Sequence, residues 1–240
     1  SSRDGMKMST DTDVQREKLL CKSFIFEALD AQARQELARC SVVKRYMAGD
    51  IIFNMGDPSQ SMMAIAEGTV RVSMLTPSGR EVTLSDLQAG EVFGEIAMLD
   101  GGERSASVKS LTNCTLVVLE RRPLLDLLNR NPGCSIQLIE LLCQRVRRSD
   151  ERMIEIAFLD IPARLAKLVL RLTVAAPASE HRPLSRLPQS QSELAGMIGN
   201  SRENVNRCLR RWQKAGLIDI SDGWLIVKDR ARLEALAEGE

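Results

Sequence analysis

Between Pro132 and Phe158, positions Ile139, Leu142, Val146, Ser149, Met153 and Ile156 fall 3, 4, 3, 4 and 3 residues apart. That is the a/d seam of a coiled coil, and it predicts one long helix. A stripe of this kind packs either on the chain's own core or on a second copy. Its length, and the Glu, Gln and Arg residues around the rest of the circumference, favour a parallel dimer. Ser149 stands where an apolar residue would pack better, so it either sets the register, meets a polar ligand or is simply tolerated. A helix this long also divides the chain, because the textures on its two sides differ.

On the N-terminal side, residues 42–119 hold short apolar runs such as DIIF, VRVSML and CTLVVLE, punctuated by Gly49, Gly56, Gly68, Gly79, Gly90, Gly94 and Gly101. Turn signals every 10 to 12 residues predict many short antiparallel strands, in a sandwich or jelly roll. Leu19 to Ala38 has helical spacing, and the polar SSRDGMKMSTDT start predicts a disordered leader. After the long helix, Asp160 followed by Pro162 marks a new helix running to Leu172, and the Pro-rich stretch around His181 reads as a surface loop.

Composition excludes several classes of function. The chain has 240 residues, 44% of them hydrophobic, and no apolar run of the roughly 20 residues that a membrane helix needs. Eight aromatic residues are too few for a sheet of base-stacking rings. One histidine and six dispersed cysteines (Cys21, Cys40, Cys114, Cys134, Cys143, Cys208) form no metal-ligand spacing and no catalytic triad. The expectation is a non-enzyme without a metal, in the reducing cytoplasm. Charge is uneven: residues 1–162 carry 20 Lys+Arg against 23 Asp+Glu, and residues 163–240 carry 13 against 9.

The basic surplus concentrates in Ser201 to Lys214. Before it, Ser190-Gln-Ser-Glu193 is a capping box that opens a short helix ended by Gly199-Asn200. From Ser201 a second helix buries Val205, Cys208 or Leu209, and Trp212, while Arg202, Glu203, Asn206, Arg207 and Arg210 share the opposite face. Arginine near the start of such a helix pairs with guanine O6 and N7, and glutamate accepts from cytosine N4. Residues 216–227 then predict strand, Asp-Gly turn and strand, a wing beside a helix-turn-helix. Double-stranded DNA is the expected partner. The alternative is a winged-helix protein-interaction module with a charged solvent face.

In the strand region, Phe93-Gly94-Glu95-Ile96-Ala97 is followed by Arg104-Ser105-Ala106. A bend of small residues, one carboxylate and a later arginine suits a phosphorylated sugar. This segment resembles the phosphate-binding cassette of cyclic-nucleotide-binding domains. With Ala157-Phe-Leu-Asp160 and Ser201-Arg-Glu-Asn-Val-Asn-Arg207 following in order, residues 24 to 235 resemble the cyclic-AMP receptor protein and fumarate-nitrate regulator (CRP/FNR) superfamily.

The resemblance implies an α+β chain. Residues 1–18 would be the leader, 19–131 an N-terminal β jelly-roll effector domain, 132–159 a long dimerisation helix and hinge, and 160–240 a C-terminal winged helix-turn-helix. It also implies a homodimer on near-palindromic operators, with RNA polymerase as a further partner and no membrane association. Gly94 and Glu95 would meet ribose, Arg104 and Ser105 the cyclic phosphate, and Ser149 and Asp150 the purine edge, with Ile96, Ala97, Ala106 and Arg145 completing the pocket. Arg202, Glu203 and Arg207 would read GTGA-like half-sites, joined by Asn206, while Ser190, Gln191 and Ser201 would position the backbone. No cysteine cluster for an Fe-S centre is present, and no histidine for haem lies near the cassette.

Retention of Glu95, Arg104 and Ser105 favours a cyclic nucleotide. Asp150, in place of a hydroxyl residue, can accept from adenine or guanine, so cAMP is favoured and cGMP competes. Ligand would act through an Ile156 to Asp160 hinge. The alternatives are a ligand-independent or redox-responsive regulator sensing through a thiol such as Cys114 or Cys143, and a signalling module of the kind found in kinase regulatory subunits.

Overall fold

A computed structural model describes residues 13–77, 79–175 and 186–239. The chain forms two compact units. The first comprises Ser1–Met74 and Leu84–Arg145; the second comprises Leu75–Thr83 and Val146–Glu240.

The first unit opens with a helix, α1, over residues 13–20, a 3-10 turn at Phe24–Phe26 and helix α2 at Ala31–Arg39. Residues 13–18, expected to belong to the leader over 1–18, are helical, and residues 1–12 lie outside the described residues. The reason is packing. Leu20 is fully buried, Glu17 pairs with Arg34 at 3.7 Å, and Arg16 donates to Asp13 at 3.5 Å. Aspartate caps α2, with Ala33 N donating to Asp30 Oδ1 at 2.8 Å.

Eight strands follow: β1 (Ser41–Tyr46), β2 (Ile51–Phe53), β3 (Ser61–Glu67), β4 (Thr69–Leu75), β5 (Glu81–Gln88), β6 (Val92–Phe93), β7 (Ser107–Ser110) and β8 (Cys114–Glu120). They form two four-stranded sheets, ordered β1-β8-β3-β6 and β2-β7-β4-β5, which is the expected jelly roll. The helix α3 (Glu95–Asp100) interrupts the strands, and α4 (Arg121–Arg130) and α5 (Pro132–Phe158) follow them. Met63, Ile65, Val70, Phe93, Val108 and Leu116 fill the space between the sheets. Met62, Ala64, Ala66 and Leu119 face the other way, against Phe26, Leu37, Leu124, Leu127, Leu138 and Leu141. Strand β3 is thus buried on both faces, and its Met-Met-Ala-Ile-Ala run shows no polar alternation.

In the second unit, Asp160 caps α6 (Ile161–Ala175), accepting from Ala163 N at 2.9 Å. Helices α7 (Gln191–Ile198) and α8 (Arg202–Lys214), strands β9 (Arg186–Leu187), β10 (Ile218–Ser221) and β11 (Trp224–Val227), and helix α9 (Arg230–Glu238) complete it. Its core gathers Leu165, Val169, Leu194, Ile198, Val205, Leu209, Trp212, Leu225 and Leu233. The wing turns at Asp222-Gly223, both at positive φ as a tight two-residue hairpin requires. The sheet here has three strands rather than the expected two, because β9 pairs antiparallel with β11 through Leu187 and Leu225. The loop expected around His181 lies outside the described residues.

Candidate functional site

The cassette is built on a left-handed turn. Gly94 sits at φ +78° and caps α3, and a Cβ there would overlap Nη1 of Arg104. Only glycine tolerates both conditions at low cost. The turn places Glu95 inside the fold at 1% exposure, where its Oε1 accepts from Arg145 Nη1; Arg145 also donates to Val92 O. Arg104 is 3% exposed. Its Nη1 donates to Ser61 O at 2.7 Å and Gly94 O at 3.0 Å, and its Nη2 to Ser61 Oγ at 3.1 Å, while its guanidinium lies 4.1 Å from the Phe53 ring centroid. Burial pulls the Arg104 guanidinium below its ordinary range, opposed by the carboxylates of Glu95, Asp57 and Glu120.

Of the buried side-chain atoms that have no hydrogen-bond partner among the described residues, two belong to the cassette: Glu95 Oε2, an acceptor, and Arg104 Nε, a donor. Leaving such groups unpaired costs about 1–3 kcal/mol each, more when charged. An acceptor for a sugar hydroxyl and a cationic donor for a phosphate oxygen are what a cyclic nucleotide requires, so these residues fit that group. Of the remaining predicted pocket residues, Ala97 and Ala106 are buried, while Ile96 in α3 and Ser105 in the segment before β7 are exposed. Ser149 and Asp150 are exposed on α5, within the second unit.

The α5 seam is open. Ile139, Val146, Met153 and Ile156 are 57%, 59%, 65% and 64% exposed, whereas Cys134, Leu138 and Leu141 on a neighbouring stripe are buried. Sequence reasoning found the open stripe and missed the buried one, which is spaced 4 and 3. All six cysteines are free; Cys114, suggested as a sensor, is buried and Cys143 is exposed. No group of side chains able to hold a metal, and no helix long and apolar enough to cross a membrane, occurs among the described residues.

The second candidate surface is α8. The capping box forms as predicted: Glu193 N donates to Ser190 Oγ at 3.2 Å, and Ser190 N donates to Glu193 Oε2 at 2.8 Å. Gly199 ends α7 in the left-handed region, and Asn200 N returns to Ala195 O at 2.9 Å. Ser201 caps α8, accepting from Asn204 N at 3.3 Å. Val205, Cys208, Leu209 and Trp212 are buried, while Arg202, Glu203, Arg207 and Arg210 are exposed and Asn206 is half-buried. Gln191 starts α7, half-buried. The Glu203 carboxyl is held below its usual range by its own backbone N–H, the Ser201 hydroxyl and Arg202, so it is an ionised acceptor at neutral pH.

Residues 43–131 match the cyclic nucleotide-binding domain family, and residues 163–236 match the Crp-like helix-turn-helix domain. The chain is similar to the cyclic AMP receptor protein of Thermus thermophilus, at 34% identity over 194 residues, covering 81% of this chain and 87% of that one. It is also similar to the CRP-like cAMP-activated global transcriptional regulator of Mycobacterium tuberculosis, at 28% identity over 218 residues, covering 90% and 97%. Among solved structures, a putative CRP/FNR-family regulator from Eubacterium rectale shares the fold at TM-score 0.73 and 20% identity, covering 90% and 98%. With the cassette, the helix-turn-helix and these likenesses together, the chain belongs to the CRP/FNR superfamily of transcription regulators.

Proposed function

We propose that the protein is a homodimeric, cyclic-nucleotide-responsive regulator that binds near-palindromic duplex DNA with GTGA-like half-sites, with cAMP as the favoured effector and cGMP its competitor. The observation that carries the effector reading is the pair of buried, unpartnered atoms Glu95 Oε2 and Arg104 Nε. Glu95 would accept a ribose hydroxyl; Arg104 and the exposed Ser105 hydroxyl would donate to the cyclic phosphate. Gly94, Ile96, Ala97 and Ala106 shape the turn, and Arg145 holds Glu95 in place. Ser149 and Asp150 would meet the purine edge, where a carboxylate accepts from either purine. The names of the relatives, a cyclic AMP receptor protein and a cAMP-activated regulator, support cAMP.

The DNA reading rests on the exposed face of α8. Arg202 and Arg207 would take guanine edges and Glu203 cytosine N4, with Asn206 alongside, while Ser190, Gln191 and Ser201 position the backbone. The open α5 seam supports dimerisation, and a dimer would present two such helices to half-sites about one helical turn apart. RNA polymerase is the partner a transcription regulator of this kind engages, and the cytoplasm is where it would act.

Calorimetric titration of nucleotide-stripped protein with cAMP, then cGMP, tests the effector. Saturable binding weakened tenfold or more by Glu95→Gln, about 1.4 kcal/mol, is expected, with cAMP the tighter ligand. No heat with either nucleotide and an unchanged melting temperature would overturn the reading. Duplex binding that ignores nucleotide and follows oxidant would replace it with thiol sensing.

A further inference from the structure

A cavity of about 190 Å³ lies along one flank of α8, lined by Ile161, Pro162, Asn204, Arg207, Cys208 and Arg211. The α8 residues in it are spaced 3, 1 and 3, so they form a single stripe. The floor is apolar, and the start of α6 supplies little to it: Pro162 has no N–H, and Ala163 N is taken by Asp160 Oδ1 at 2.9 Å. The polar groups of the cavity are therefore Asn204 and two guanidiniums. Asp160 faces the same stripe, where it and Arg211 act in opposite senses on the Cys208 thiol. Yet neither Arg207 nor Arg211 forms an ion pair among the described residues. The pocket carries a surplus positive charge.

Position on the helix decides what that charge meets. Arg211 lies about 80° round the helix from Glu203, at 100° per residue. Glu203 points away from the buried Val205-Leu209-Trp212 stripe, the direction of base edges for a helix seated in the major groove. A helix of about 10–12 Å fills a groove about 12 Å wide, so its flanks abut the sugar-phosphate walls. We propose that this pocket seats one backbone phosphate of the operator, and that Arg211 is the cation holding it, a DNA-positioning residue outside the base-reading set. A guanidinium suits the task because its planar donor fork matches two phosphate oxygens. The inference rests on the DNA-binding reading above.

The test is the salt dependence of duplex binding by fluorescence anisotropy, on full-length protein saturated with cAMP, for wild type, Arg211→Ala and Arg211→Lys. One lost phosphate contact per subunit lowers the log–log slope by about 0.9, hence about 1.8 for a dimer. Over a roughly threefold rise in salt, wild type then loses about sevenfold more affinity than Arg211→Ala. Arg211→Lys should restore most of the slope. Ranking of duplexes altered at each half-site base should be the same in all three proteins. Wild type without steep salt dependence would overturn the DNA reading itself. A steep wild-type slope unchanged in Arg211→Ala would overturn the phosphate pocket alone, as would a changed base ranking, which would make Arg211 a reader.

Discussion

Gly94→Ala isolates the geometry on which the cassette depends. The new Cβ meets two penalties. Holding alanine at φ +78° costs about 1–2 kcal/mol. Overlap with Arg104 Nη1 forces the guanidinium off Gly94 O, a 3.0 Å charge-assisted bond worth about 1.5–3 kcal/mol. The first unit should therefore lose about 3–5 kcal/mol. In an Arg104→Ala background the overlap with the guanidinium is gone, and what remains is the backbone strain of about 1–2 kcal/mol with a 3.3 Å approach to Ser61 O, so the two substitutions are coupled by about 2 kcal/mol. Denaturant unfolding can assign the loss. Trp212 and Trp224 both lie in the second unit, so their fluorescence follows that unit alone, while far-UV circular dichroism follows both. The dichroism transition should shift and the tryptophan transition should not. A cost below about 1 kcal/mol, or the same cost with and without Arg104, would refute the overlap.

Truncating Trp212, 3% exposed in the second core, to alanine should destabilise that unit by about 3–5 kcal/mol, read by the remaining Trp224. Burial pushes the thiols of Cys134 and Cys208 up to about 11, so at pH 8 iodoacetamide should label Cys21, Cys40 and Cys143 in the native protein and spare those two; modification of either before unfolding would contradict their burial. Because these folded values exceed the unfolded thiol value of about 8.5, the stability the thiols contribute is complete below that pH and is lost as pH rises toward 11. The unfolding midpoint should fall across that window, less steeply in Cys134→Ala. Val146→Glu combined with Met153→Glu places like charges on the open seam and should turn the proposed dimer into a monomer in sedimentation; a dimer that survives both would place the interface elsewhere.

The readable parts of the chain are those whose signals are local. The capping box at Ser190 and Glu193, the Asp222-Gly223 turn and the Asp160 cap each act within four residues, and each stands where the sequence puts it. The cassette motif was legible as Gly-Glu and a later arginine, but not its anchor, because Ser61 lies 43 residues from Arg104 and belongs to a strand buried on both faces. Strand β9 was hidden by its length, two residues held only by β11. Helix α9 had its signals, with Asp229 accepting from Arg232 N and Gly239 closing the far end, yet it buries only Leu233 and Ala237 and leaves little apolar period to see.

The long helix shows how one sequence pattern can carry two destinations. Leu138 and Leu141 bury against the first unit's core, while Ile139, one position on from Leu138 and about 100° round the helix, stays open. Over this half the helix is apolar on a wide arc, part of which its own chain covers. Val146, Met153 and Ile156 continue the open side at 59% to 65% exposure. Single large apolar side chains on a surface are ordinary, but a continuous stripe of them over several turns marks an interaction surface. Ser149 breaks the stripe midway, removing the apolar contact a seam would have there. A seam with a polar residue at one position is held less firmly at that point than one built of leucine.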